Sequence, residues 1–402
     1  MPSLMHGIPH VFEPESGMNS DPLIDFARAL VQRPSLSCQE REVANRVEEE
    51  MKALAFDEVE LDEYGSVIGV IHGAEPGPTL LFDAHTDTVD VTGGVAWERD
   101  PFSGEVADGF LYGRGSADMK GALAAMIHAA AGVDRSRTKG RVVVSASPME
   151  EVLEGVALEA VMRSFPPDFV VIGEATDLNL ARGGRGRAEI HLETIGVPTH
   201  SSAPHLGRNA VLDMMKVIAG AEGIELADDP LMGPAILALT EISSAPFPAN
   251  SVIPSICRAT YDRRLIPGET EEDVLEPFHS LSRVHELNLH AIVGLGEYVT
   301  FTGSPLSQKK FFPAWVFPED DWFVVQALRG LTGKGLSPDV GAYRFCTNAA
   351  YSAGVAGVPT VGFGPAKETD AHLVDERLRL EDLKAAAMGY SGIIEGVLGT
   401  NS

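Results

Sequence analysis

Cysteine is scarce: Cys38, Cys257 and Cys346 are the only three, odd in number and widely spaced. That argues against a disulfide framework and against a zinc site built on thiolates. It fits a reducing compartment, so a cytoplasmic location is expected. Long apolar runs are missing too. No stretch reaches the roughly eighteen residues that a membrane-spanning helix requires. The first twenty residues have no basic start followed by an apolar run, so no signal peptide is expected there, only a loosely held arm. Basic residues are few: 31 Lys and Arg face 58 Asp and Glu, a net charge of −27. Such a balance repels phosphate backbones and anionic bilayers, so neither nucleic acid nor membrane is an expected partner. Internal repeats and low-complexity tracts are also absent.

What is present is ample apolar material, 44% of 402 residues, enough for two domains or for one carrying a large insertion. DPLIDFARALVQ and QEREVANRVEEEMKAL carry Leu, Val and Ala at helical spacing. Four short apolar runs read as buried strands: Thr79–Ala84 (TLLFDA), Arg141–Ala146 (RVVVSA), Asp168–Gly173 (DFVVIG) and Pro359–Phe363 (PTVGF). An Ala-rich helix, MKGALAAMIHAAAG, lies between the first two, with Gly132 as its expected C-terminal cap. Strands alternating with helices predict an α/β fold, a mainly parallel sheet flanked by helices. From about Gly183 to Phe301 the pattern changes to α+β: RAEIHLETIG as a strand, RNAVLDMMKVIAGA as a helix, CRATYDRRL as a strand. The expected organisation is an arm over 1–20, a catalytic domain over 21–182 and 302–402, and an inserted lid or dimerisation domain over 183–301.

The acids and histidines fall in a pattern. His85 and Asp87 end the first apolar strand, two residues apart and so on one side of an extended chain. Asp118 lies in a Gly-rich turn, GRGSADMKG. Glu150 and Glu151 follow the second strand, Glu174 follows the third, and His372 lies in a loop beyond the fourth. Each sits at or past the carboxyl end of a strand, the edge where open α/β sheets bind ligands. Alone, each has an ordinary structural explanation; adjacent glutamates, for example, are usually a solvated surface. Together they bring four or more carboxylates to one place, which is electrostatically costly without a cation. Two imidazoles among the carboxylates suit zinc better than magnesium or calcium.

The ordered set HTD, GRGSADMKG, MEE, IGEAT and AHLVDE resembles the co-catalytic zinc aminoacylase/carboxypeptidase metallopeptidase family, which includes acetylornithine deacetylase and succinyl-diaminopimelate desuccinylase. WERDPFSG and THSSAPHLGRNA are similar to that family's loop before the Asp turn and to its lid motif. DRRLIPGET and FFPAWVFPED resemble a subgroup linked to selenium metabolism. The resemblance spans nearly all of the chain after residue 20. It implies two divalent metal ions, zinc first, with cobalt or manganese able to use the same ligands. It implies Asp118 as the bridging ligand, His85 and Glu174 completing one metal's shell, and Glu151 and His372 the other's. Asp87 is implied to orient His85 by accepting its second N–H, and Glu150 to be the general base. Met149 stands where many relatives carry an acidic or small residue.

The same resemblance implies that His200, in the lid motif, stabilises the oxyanion, usually in a partner subunit's site, and hence a homodimer joined through the lid. It implies that Arg264, Arg344 and Asn250 bind the substrate carboxylate; a planar guanidinium holds a carboxylate bidentately. Arg263 and Arg264 also have a plain alternative as ion-pair partners in so acidic a chain, and Gly341, just before Arg344, would let backbone approach a ligand. The implied reaction is hydrolysis of the amide of a small N-acyl amino acid, with a dipeptidase or carboxypeptidase as the alternative. A two-metal phosphoesterase would need more basic residues near the acids, and a binding protein that had lost catalysis would be expected to have lost one of these positions.

Overall fold

A computed structural model describes residues 21–91 and 94–399, so the expected arm over 1–20 lies outside the described residues. The first large sheet begins with β1 (Glu58–Leu61), β2 (Val67–His72), β3 (Glu75–His85), β4 (Lys139–Ser147), β5 (Phe169–Ile172) and β6 (Leu180–Gly184). The chain then builds a second sheet from β7 (Gly186–Ile195), β8 (Ile236–Ala245), β9 (Ile256–Leu265), β10 (Leu289–Val293) and β11 (Phe311–Phe312). It returns to the first with β12 (Trp315–Val316), β13 (Val340–Tyr343) and β14 (Thr360–Gly362). The helices are α1 (Pro22–Val31), α2 (Arg41–Ala53), α3 (Gly121–Ala131), α4 (Val156–Ser164), α5 (Ala210–Ala221), α6 (Glu271–Val284), α7 (Trp322–Gly333) and α8 (Leu380–Leu398).

The nine-stranded first sheet runs β1-β2-β4-β3-β5-β14-β6-β12, with β13 also beside β6. Its centre, β4-β3-β5-β14, is parallel, and these are the four apolar runs expected from sequence. They read as near-continuous Val, Ile, Leu and Phe because both faces are covered. α1, α2, α3, α7 and α8 pack one face, while α4 and the turn around Ala349 and Ala353 pack the other. Antiparallel pairs flank this centre, β1 on β2 and β2 on β4 at one side, β14 on β6 and β6 on β12 at the other, where β13 also pairs β6 in parallel. A short link can only send the chain back: Asp62 Oδ1 accepts the N–H groups of Tyr64, Gly65 and Ser66, folding β1 onto β2. Gly132 does end α3, but with φ −79° and not as a left-handed cap.

The second sheet is antiparallel, β8-β9-β7-β10, with β11 also on β7. Residues alternate along β7, with Ala188, Ile190 and Leu192 buried against α5 and α6 and their neighbours turned the other way. Asn209 caps α5 and a Thr270–Asp273 capping box starts α6, which fixes where each helix begins. Pairing with the second sheet continues to Phe312, and Trp315 rejoins the first.

Candidate metal centre

Because β4, β3, β5 and β14 are adjacent and parallel, their carboxyl ends open on one edge. His85 is the last residue of β3, Glu150 and Glu151 follow β4, Glu174 follows β5, and His372 stands in the loop after β14. Met149 and His372 adopt positive φ, of 69° and 62°, turning the chain sharply beside these groups. Asp118 is delivered by the segment before α3. Its main-chain N–H and that of Ala117 donate to Glu376 Oε1, at 3.1 and 2.8 Å. Glu376 is itself buried against Arg114, Oε2 to Nη1 2.6 Å.

The two carboxylate oxygens of Asp118 face different histidines. Oδ1 lies 3.0 Å from His85 Nε2, and Oδ2 lies 3.0 Å from His372 Nε2. Glu174 Oε1 stands 3.4 Å from His85 Nε2, and Glu151 Oε1 stands 3.2 Å from His372 Nε2. His85, Glu150 and Glu174, and likewise His85, Asp118 and Glu151, each offer a ligand atom within 4.8 Å of the others. Ligand atoms bound tetrahedrally to zinc at about 2.0–2.1 Å would stand about 3.3 Å apart, close to the 3.0–3.4 Å that separates these carboxylates from the two imidazoles, so the cluster suits a metal ion. His85 Nδ1–H donates to the Asp87 main-chain oxygen at 2.9 Å, which fixes the ring with Nε2 toward the cluster.

Charge makes the same case. Burial pushes Glu174 up to about 7, with Asp118 adding to it and His85 opposing. Burial also holds the Glu150 carboxyl well above its usual range, against the pull of His85. His372 is raised to about 10 by hydrogen bonds to Asp118 and Glu151. Burial works to lower His85, yet Glu174 and Asp118 keep it well above its usual value. Burial works to raise Asp118, and the two imidazoles hold it far below the carboxylate range. The acids thus lean on protons and imidazolium groups that a bound cation would replace.

Other expected residues fall differently. The Asp87 carboxylate was expected to take the second N–H of His85; its main-chain carbonyl does so, and Oδ1 stands 3.6 Å away. The carboxylate accepts instead from Glu150 N (3.1 Å), Glu151 N (3.2 Å) and the Ser37 hydroxyl (2.7 Å), three donors that satisfy it and fix the paired glutamates. Arg264 lines the cleft of about 310 Å³ that holds Asp118, Glu150, Glu151, Glu174 and His372, while its Nε donates to Asp262 at 2.7 Å. Arg263 is a buried partner of Glu269, the plain alternative. Arg344 and Gly341 line an adjoining cleft of about 380 Å³, which shares Ala175 and Glu368 with the first. Among the described residues, no atom stands within 4 Å of a Cβ built on Gly341. His200 and Asn250 lie on two neighbouring exposed loops of the second sheet, one after β7 and one between β8 and β9, tied by Ser201 N to Ser251 O at 2.8 Å, and neither lines the cleft. His200 Nδ1 pairs with the Ser202 hydroxyl at 2.7 Å.

Four residues in or behind the cleft went unnoticed in the sequence. Glu376 holds the Asp118 turn. Asn348 donates to Asp83 Oδ2 and accepts from Gly155 N, bracing the loop after Glu151. Glu154 and Arg187 line the cleft as a bidentate pair. Only Arg187 had a local signal, its place between glycines and an alternating strand.

A cluster of acids and histidines with metal-ligand spacing, at the carboxyl edge of an α/β sheet, defines a class: a metal-dependent hydrolase. Residues 81–396 match the model of peptidase family M20/M25/M40, and the chain belongs to that family. It is 34% identical over 383 residues to the uncharacterized protein YgeY of Escherichia coli K12, covering 92% of each chain. It is 28% identical to a succinyl-diaminopimelate desuccinylase of Cereibacter sphaeroides, over 91% of this chain and 96% of that one. Among solved structures it resembles Bacillus subtilis YXEP, a dinuclear metal-binding peptidase of the same family. That match has a TM-score of 0.69 at 17% identity and covers 94% and 98% of the two chains. Among the described residues no helix is long and apolar enough to cross a membrane.

Proposed function

We propose that this chain hydrolyses the amide bond of a small N-acyl amino acid, in the manner of a deacetylase or desuccinylase. The observation that carries the reading is Asp118, whose two oxygens divide between His85 and His372. Asp118 would bridge two divalent ions, zinc first, with His85 and Glu174 on one and Glu151 and His372 on the other. When bound, that pair supplies Lewis acidity toward the scissile carbonyl and toward water.

This chain's own groups do the rest. Glu150, buried at the cleft and 3.9 Å from His85 Nε2, is free of the short contacts that hold Asp118 and Glu151. It takes the proton of the attacking water and passes it to the leaving amine, a task typically worth about 10²–10⁴-fold. Asp87 holds Glu150 and Glu151 by their backbones. Arg264 faces the cleft as the cation for the substrate carboxylate, with Arg344 in the adjoining cleft serving a longer substituent. His200 and Asn250 serve the cleft of a second copy, joined through the lid. The lid is taken as 183–301 and the catalytic domain as 21–182 with 302–402.

The test is amine release from N-acetyl, N-succinyl and N-formyl amino acids and from dipeptides, with metal counted by elemental analysis. Chelator-sensitive release is expected, lost by at least about 10²-fold in Glu150→Ala with metal retained. Release from dipeptides alone would move the reading to a dipeptidase or carboxypeptidase. A protein that binds no metal, even with zinc added, would end it.

A further inference from the structure

Two arginines stand side by side where the second sheet meets the cleft. Arg187 on β7 and Arg264 on β9 are register partners, and both line the cavity. They are tied together on their own side. Asp262 Oδ1 accepts from Arg264 Nε at 2.7 Å, and Asp262 Oδ2 lies 3.9 Å from Arg187 Nη1. The Phe312 ring packs under the Arg187 guanidinium, 5.4 Å from its centroid.

From the other side comes Glu154, three residues after Glu151 and only 7% exposed. It takes Arg187 as a fork, Oε1 from Nε at 2.5 Å and Oε2 from Nη2 at 2.8 Å. The loop beneath is held at several points. Asp87 grips the backbone of Glu150 and Glu151, and Asn348 Oδ1 accepts from Gly155 N at 2.6 Å while its amide reaches Asp83. Gly155 has φ +81°, and a Cβ there would meet Tyr351 Cβ at 2.6 Å, so the loop packs its backbone closely on Tyr351 at this point. A planar fork on a carboxylate fixes distance and angle together, which a point charge does not.

We propose that the Arg187–Glu154 pair positions the second sheet against the loop of Glu150 and Glu151, and thereby sets how far Arg264 stands from the reacting acids. Arg187 is a positioning residue that acts through Arg264, so the functional consequence rests on the reading that Arg264 anchors a substrate carboxylate. The geometric statement stands without it. A shift near 1 Å in such an anchor is enough to lower rate by about 10²-fold.

The test uses the full metal-loaded enzyme and two conservative variants, Glu154→Gln and Arg187→Lys, each keeping most of the volume. Nitroxides introduced as unnatural residues at exposed Arg163 on α4 and exposed Arg283 on α6 report the spacing of the two sheets without touching the native cysteines. A single narrow distance is expected in the parent, and a broadened or displaced one in both variants. Kinetics then compare an N-acyl amino acid with its C-terminal amide. The parent's preference for the free carboxylate is expected to fall by about tenfold or more in both variants, chiefly through KM. Unchanged distance distributions in both variants overturn the proposal, whatever the kinetics do. Changed distributions in both variants, with a parent that shows no carboxylate preference, uphold the positioning and overturn the role given to Arg264.

Discussion

At the head of α2, Glu40 is buried with 0% exposure. Its Oε1 accepts from Cys38 N at 3.0 Å, and Oε2 has no hydrogen-bond partner among the described residues. Burial, with the nearby Asp87 charge, pushes its carboxyl up to about 8. The native state therefore favours the protonated acid. That contribution is whole below about pH 4.3, where the unfolded chain is protonated too, and is lost as pH rises through about 8. Glu40→Gln keeps the shape without the charge. Urea unfolding should find it level with the parent near pH 5 and more stable near pH 8, the gap opening steadily between. Parallel curves at every pH would show that Glu40 is not protonated in the fold. Asp87 teaches a related lesson about single residues. The sequence placed it beside His85, but a carboxylate goes to the strongest available donors, and the backbone N–H groups of Glu150 and Glu151 lie more than sixty residues away.

Between elements, α7 and α8 cross at a pair of glycines. A Cβ on Gly392 would stand 2.3 Å from the Gly330 carbonyl oxygen, and one on Gly330 would stand 2.1 Å from Gly392 O. Alanine normally favours a helix over glycine by about 1 kcal/mol. Here the contact is backbone on backbone, which cannot turn aside, and overpacking typically costs about 1–3 kcal/mol. The clash should win, so Gly392→Ala is expected to lower the midpoint in thermal unfolding. Gly333→Ala, at the end of the same α7 with no atom of the described residues within 4 Å of the added carbon, should raise it. If both moved the same way, the close crossing would be refuted. Helix and strand identities were readable because their periods are local: the alternation along β7 and the four apolar runs needed no distant partner. The antiparallel flanks of the first sheet were not, since nothing local says which neighbour a strand takes.

For the whole molecule, the placement of His200 has the largest consequence. It stands on an exposed loop away from the cleft, paired with the loop that follows β8, an edge strand with Leu239 and Ile242 exposed. Phe247, 92% exposed, follows that strand. If a second copy uses His200, then Glu150→Ala and His200→Ala proteins, each impaired, should recover activity when their subunits are mixed. Mixed dimers carry one intact site, so about a quarter of parental turnover is expected after random exchange. No recovery, with dimers seen by mass measurement and exchange verified, would place His200 outside the chemistry.

The sequence by itself determined the class of this protein. The order of acids and histidines along four buried strands is a local property, and a parallel sheet must bring their carboxyl ends to one edge. It also determined that a cation is wanted there, since the carboxylates crowd whatever their exact bonds. Only the tertiary structure decided which oxygen of Asp118 faces which imidazole, that Glu376 holds the turn beneath it, and that Glu154 grips Arg187. Those contacts join residues 33 to 258 apart in the chain. Their partners are chosen by how the sheets and loops pack, and no periodicity or spacing in the chain records that choice.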